Sequence, residues 1–126
     1  MISRLFVAKL HGSDGSVAWA ISRGTAMTDR TGDIAVDAMG HVVLGASLNG
    51  TPTASGDALI ESFDATNGSS RWAKMFATPG LDGVGNVIFG RNGDLYATVG
   101  LGGAFDFGMP IIGAAGPAAV LLRVAP

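Results

Sequence analysis

Apolar stretches of about six residues recur along the whole chain, each bounded by Gly, Asp, Asn or Ser, and none keeps a 3.6-residue period for three turns. That pattern predicts strands and no helix. We place the strands at Leu5 to Leu10, Val17 to Arg23, Asp33 to Asp37, His41 to Ser47, Ala58 to Phe63, Arg71 to Phe76, Asn86 to Gly90, Asp94 to Gly100 and Ala119 to Val124. The connections read as hairpins, because Asp37-Ala-Met-Gly40 and Arg91-Asn92-Gly93-Asp94 put Gly or Asn-Gly where a tight turn needs positive φ. Asp14-Gly15 and Asn67-Gly68 hold matching places in another pair of turns, each leading into a strand that carries a tryptophan, Trp19 or Trp72.

The pattern is a repeat. When residues 5–47 are laid over 58–100, Trp19 meets Trp72, Gly15 meets Gly68 and Gly40 meets Gly93, all at one offset (72 − 19 = 53). A unit of this length is too small to bury its own apolar face and gains stability by stacking on copies of itself. One unit is a four-stranded meander. Residues 33–76 supply a complete one, 5–23 a half unit and 86–124 an incomplete one, which makes about two and a quarter units in a single repeat domain over 1–126. The third copy of the leading strand, Ala119 to Val124, lies 61 residues beyond the second (124 − 63 = 61), and the extra residues fall in the loop around Phe105 to Ile112.

Composition agrees with an all-β reading. Hydrophobic residues make up 48% of the 126, enough for a core, while charged residues are only 14% and there are 20 glycines, which favours tight turns and close-packed strands over long solvated helices. Eight basic against ten acidic side chains give a net charge of −2 with no run of Lys or Arg, so nucleic acid is disfavoured as a partner. Without cysteine there is no disulfide framework and no thiol nucleophile. The mean hydropathy of +0.40 does not imply a membrane span, since the longest weakly polar stretch, Met109 to Leu122, is short and broken by Pro110, Gly113, Gly116 and Pro117. Lys9 interrupts the apolar run that a signal peptide needs, so no export signal is expected in this chain.

The segments Phe6-Val-Ala-Lys-Leu10, Gly15-Ser-Val-Ala-Trp19, Ile34-Ala-Val-Asp-Ala-Met-Gly-His-Val-Val-Leu-Gly45 and Phe105-Asp-Phe-Gly-Met-Pro110 together resemble the bacterial β-propeller repeat of SBBP type, over nearly the whole chain. That resemblance implies four-stranded blades from a large secreted or surface protein, hence a partial β-propeller and a secreted or cell-surface location. His11 stands where the family usually has Asp, His41 stands where it has Asn, and the loop from Asn49 to Gly56 lacks the Asp-Phe-Gly element found at 106–108. Propellers close with about four to eight blades, so fewer than three imply either a fragment or an assembly of copies. Ile60-Glu-Ser-Phe-Asp64-Ala-Thr-Asn-Gly68-Ser-Ser-Arg-Trp72 is also similar to the repeat of pyrroloquinoline-quinone propellers and their cofactor-free relatives. Many of those enzymes carry vicinal cysteines beside the quinone, and this chain has none.

Candidate chemistry is sparse. Trp19 and Trp72 are read as packing between adjacent sheets, given their equal place in two repeats. His11 and His41 sit at turns or strand starts without an HxH or HExxH partner, and are read as solvated or locally bonded imidazoles. Asp14, Asp64 and Asn67 lack the ligand series of a calcium loop and are read as turn formers, Asp37 as a hairpin cap, and Asp33 and Asp82 as carboxylates without a proton-transfer partner. Gly80-Leu-Asp-Gly83-Val-Gly85 is not a phosphate loop, no serine lies in Gly-x-Ser-x-Gly, and the sequons at Asn49 and Asn67 read as plain turns.

No catalytic, cofactor or metal residue is therefore assigned. The expected function is a non-catalytic binding or structural module that offers the loops Thr78 to Val84 and Leu101 to Gly116 to a protein or carbohydrate. Unpaired strand edges lead us to expect flanking blades or self-association. Two other readings stay open: part of a quinone-dependent or hydrolytic propeller enzyme, and a truncated reading frame without function.

Overall fold

A computed structural model of the chain describes residues 4–25, 27–49, 56–108 and 116–125. Among them are nine strands and no helix. Strands β1 (Leu5–Leu10) and β2 (Val17–Arg23) form a two-stranded sheet. Strands β3 (Arg30–Val36), β4 (Val42–Leu48), β5 (Asp57–Phe63) and β6 (Ser70–Phe76) form a four-stranded one. Strands β7 (Gly83–Phe89), β8 (Leu95–Leu101) and β9 (Ala118–Val124) form a three-stranded one. Every pairing is antiparallel and joins consecutive strands, and no sheet closes on itself. The sequence places all nine strands to within a few residues.

The largest departure lies at β3 and β7, which begin at Arg30 and Gly83 rather than at Asp33 and Asn86. Both early segments contain a glycine, Gly32 or Gly85, that interrupts the apolar alternation. In both the register slips beside that glycine, between Thr31 and Asp33 and between Val84 and Val87. A bulge of this kind keeps the strand in the ladder while breaking its period of two. At Gly32 an added Cβ would stand 2.1 Å from the Val84 carbonyl oxygen, so this bulge is where the backbones of β3 and β7 meet.

The middle sheet is covered on both faces, which explains why β4 and β5 are buried along nearly their whole length. Val42, Leu44, Ala46 and Leu48 of β4, with Leu59 and Phe63 of β5, pack against Leu5, Val7 and Trp19 of the first sheet. The alternate residues Val43, Ala58 and Ile60, with Phe76, pack against Val84, Val87, Leu95, Ala97, Val99 and Leu101 of the third. Burying each larger apolar side chain contributes roughly 1.5–3 kcal/mol, and in this stack that gain arises between sheets rather than within one. The third sheet buries only its inner face, so β8 alternates strictly: Leu95, Ala97, Val99 and Leu101 are buried, while Tyr96, Thr98 and Gly100 are not. Those four buried residues are Val42, Leu44, Ala46 and Leu48 moved on by the repeat offset.

The two interfaces differ in their periphery. Between the first and second sheets, Arg23 Nε and Nη2 donate to Glu61 Oε2 and Oε1 at 2.8 and 3.0 Å, and the guanidinium lies 5.2 Å from the centre of the Phe63 ring. The repeat offset places Phe76 where Arg23 stands. Phe76 meets Phe105 and Phe107, with ring centroids 5.3 and 5.9 Å away. Phe105 and Phe107 thus turn inward onto the core, so this part of the loop from Leu101 to Gly116 is not the free surface that the sequence suggested. Residues 109–115 of that loop lie outside the described residues.

Candidate functional site

Two regions combine unusual side chains with open space, one at each end of the sheets. The first is built on buried aspartates. Asp29 and Asp82, 5% and 1% exposed, stand one repeat apart. Asp29 accepts hydrogen bonds from the Thr25 amide at 2.7 Å, the Thr25 hydroxyl at 3.0 Å and the Asn49 amide at 2.9 Å. Asp82 repeats the arrangement with the Thr78 amide, the Thr78 hydroxyl at 2.7 Å and the Gly102 amide at 2.7 Å. Each carboxylate therefore ties the loop between two sheets to the residue just past β4 or β8. A buried carboxylate with several donors is strongly held, and these two act as loop clamps. The sequence reading left Asp82 without a role and passed over Asp29. The signal that finds both is Thr-x-x-x-Asp at 25–29 and 78–82, one repeat apart.

Beside the second clamp lies a cleft of about 700 Å³ walled by Arg30, Ser47, Asn49, Leu81 and the backbone from Gly83 to Gly85. Ser47 Oγ donates to the Asp82 carbonyl at 2.6 Å, which anchors the cleft floor to the clamp. Leu81 is 65% exposed at its rim. A guanidinium, a carboxamide, a hydroxyl and an isolated apolar side chain around a shallow opening can recognise a polar ligand with an apolar face. The predicted loop from Thr78 to Val84 thus does border open space, and the glycine cluster 80–85 contributes backbone to its wall.

The second region carries the tryptophans. Trp19 and Trp72 hold equivalent ladder positions, paired with Lys9 and Ser62. Trp19 is 8% exposed because the turn between β5 and β6, residues 64–68, is seated on it. Trp19 Nε1 and Lys9 Nζ both donate to the Ala65 carbonyl, at 3.2 and 2.7 Å. Gly68 lies against the indole so closely that an added Cβ would stand 2.7 Å from Cε3, and its φ of +72° suits glycine. Trp72 differs. It is only partly buried against the core and forms one wall of a cleft of about 370 Å³, with Asp37, Val43, Arg71, Phe89 and Val124 around it. The expectation that both indoles pack between adjacent sheets thus holds fully for Trp19 and in part for Trp72, because the turn that covers Trp19 has no counterpart over Trp72 among the described residues.

The remaining singled-out residues serve turns. Asp37 Oδ1 accepts the Met39 and His41 amides at 2.8 Å each, and its Oδ2 lies 2.9 Å from His41 Nδ1. Burial raises the Asp37 pKa, but the bonds from the His41 ring and from these amides outweigh it and hold the carboxyl below its ordinary value. His41 Nε2 is 3.9 Å from Asp64 Oδ2, so the imidazole bridges two turns. Asp64 and Asn67 accept amides within their own turn, Thr66 at 2.8 Å and Ser69 at 2.9 Å. Asp14 accepts the Ser16 amide and hydroxyl at 3.0 and 2.8 Å, in an exposed turn that also holds His11. Asp33 reaches across the stack, its Oδ2 accepting the Val87 amide at 3.0 Å. Asn49 donates from its side chain to the Thr28 carbonyl, while the rest of its sequon lies outside the described residues.

The sequence missed one further group, Asp94. It is 2% exposed and accepts Arg123 Nε and Asn92 Nδ2 at 2.6 Å each. Among the described residues, no group of three or more His, Cys, Asp or Glu side chains is placed to hold a metal ion. No helix of the described residues is long and apolar enough to cross a membrane. No family model matches this chain, and no curated protein is significantly similar to it.

Proposed function

We propose that the chain is a run of β-propeller blades of SBBP type and works as a binding or structural module without catalysis, meeting a protein or carbohydrate through the loops held by Asp29 and Asp82. The observation that carries this reading is the recurrence of one set of inter-sheet contacts at the repeat offset: the Thr–Asp clamps, and the rows Val42, Leu44, Ala46, Leu48 and Leu95, Ala97, Val99, Leu101 facing the preceding sheet. Repetition of the interface, not only of the strands, is what a radial stack of blades requires. The cleft at Arg30, Ser47, Asn49 and Leu81 is the part of that surface where polar and apolar groups converge.

A glycan and surface-protein array probed with the purified chain tests the proposal. A bound partner is expected to be lost or weakened by Arg30→Ala and by Leu81→Asp, with the circular dichroism of both variants unchanged. Binding that ignores both substitutions, or turnover of the bound molecule, would overturn it.

A further inference from the structure

We infer that the outer edge of β9, which carries no strand among the described residues, and the cleft at Trp72 form one acceptor for an added turn and strand: an extended segment from another repeat of this kind, headed by an Asp-x-x-Asn-Gly turn like that at 64–68. The inference rests on the blade reading above and deepens it by naming the chemistry of a partner.

Strand β9 occupies in its sheet the place that β5 occupies in the middle one. It pairs with β8 as β5 pairs with β4: Leu95 meets Val124 where Val42 meets Phe63, and Leu101 meets Ala118 where Leu48 meets Asp57. The other edge of β5 carries β6. The other edge of β9 carries no strand among the described residues. An unpaired edge of this kind is a template for strand addition.

Seated beside that edge is the counterpart of an interface already present in the molecule. The turn that joins β5 to β6 covers Trp19, placing a carbonyl between Trp19 Nε1 and Lys9 Nζ and a positive-φ glycine flat on the indole. Trp72 stands one repeat later, and the cleft beside it is walled at one end by Val124 and Ala125, the end of β9. A turn leaving β9 there, as residues 64–68 leave β5, enters the cleft and brings its glycine to Trp72. The strand that follows lies along the open edge of β9. One segment thus satisfies both features, which neither a flat aromatic ligand nor a lone strand does.

The test uses the full chain and a synthetic peptide of residues 64–76 in which the peptide's own Trp72 is replaced by Phe, labelled at its N-terminus. Saturable binding by fluorescence anisotropy is expected, together with slowed amide exchange over residues 118–124. A peptide carrying Gly68→Val should bind about tenfold more weakly, because the side chain meets the indole and disfavours the left-handed φ. This arm leaves the protein unaltered, so it stands even if Trp72→Ala in the chain impairs folding. Equal affinity of the two peptides, protection along β1 in place of β9, or no binding at millimolar peptide would each overturn the inference. The array experiment is independent of this one, so failure of the loop reading there leaves the acceptor standing, and the reverse.

Discussion

Replacing Arg23 with alanine removes a guanidinium from between the first two sheets and leaves the Glu61 carboxylate behind. The Glu61 side chain is 6% exposed and that of Arg23 30%, and two bonds of 2.8 and 3.0 Å join them. Breaking a buried ion pair from one side typically costs 3–5 kcal/mol, because the surviving charge keeps its desolvation penalty and loses its partner. The partial exposure of Arg23 lets water reach the vacated space, so Arg23→Ala is expected at the lower end, about 3 kcal/mol. Against the roughly 5–15 kcal/mol that holds a domain together, and with a urea slope of about 2 kcal/mol per molar, the midpoint should fall by about 1.5 M. The next interface shows how to restore it: the position of Arg23 is taken there by Phe76, and that of Glu61 by Leu122. The double variant Arg23→Phe with Glu61→Leu should therefore recover to within about 1 kcal/mol of the parent, since replacing both members of a buried pair with apolar groups is often neutral. A single variant within about 0.5 kcal/mol of the parent, or a double variant as unstable as the single, would refute the reasoning.

Two further outcomes follow from the stacking. Gly45→Ala should lower stability by about 1–3 kcal/mol, because the new methyl would stand 2.5 Å from Val84 Cγ1, whereas Gly100→Ala, whose nearest neighbour is 3.9 Å away, should leave the thermal midpoint unchanged or raised; equal losses would contradict the contact between the second and third sheets. Stability should also fall in acid. Asp33 is held below its ordinary pKa chiefly by the Val87 amide, Asp94 chiefly by Arg123, and Asp14, Asp37 and Asp64 are lowered as well. Since a lowered native pKa means that the unfolded chain takes up protons first, their contribution is complete above about pH 5 and is lost as pH falls past the unfolded value, about 3.9, and through the native values. The urea midpoint should decline on acidification from about pH 5 to 3, and a rise over that interval would contradict the assignment.

The nine strands and the 53-residue period were legible in the sequence alone. Alternation, turn glycines and the paired tryptophans are local properties, and a strand's side chains fall on fixed faces whatever its neighbours do. Hairpin pairing followed, because consecutive strands joined by short turns have little choice of partner. The sequence could not say what each face meets. Gly32, Gly85, Asp29 and Asp82 look like loop residues in one dimension, and their roles arise only when separate strands and loops come within reach, Asp29 with Asn49, Asp82 with Gly102, Gly85 with Thr98 and Gly32 with Val84. Two tryptophans at the same place in the repeat differ in three dimensions for the same reason: a turn from the following sheet covers Trp19, while Trp72 borders an open cleft. Local pattern determined the elements of this protein, while the buried faces, the Arg23–Glu61 pair and the sites open to a partner were decided by stacking, since those contacts exist only between sheets.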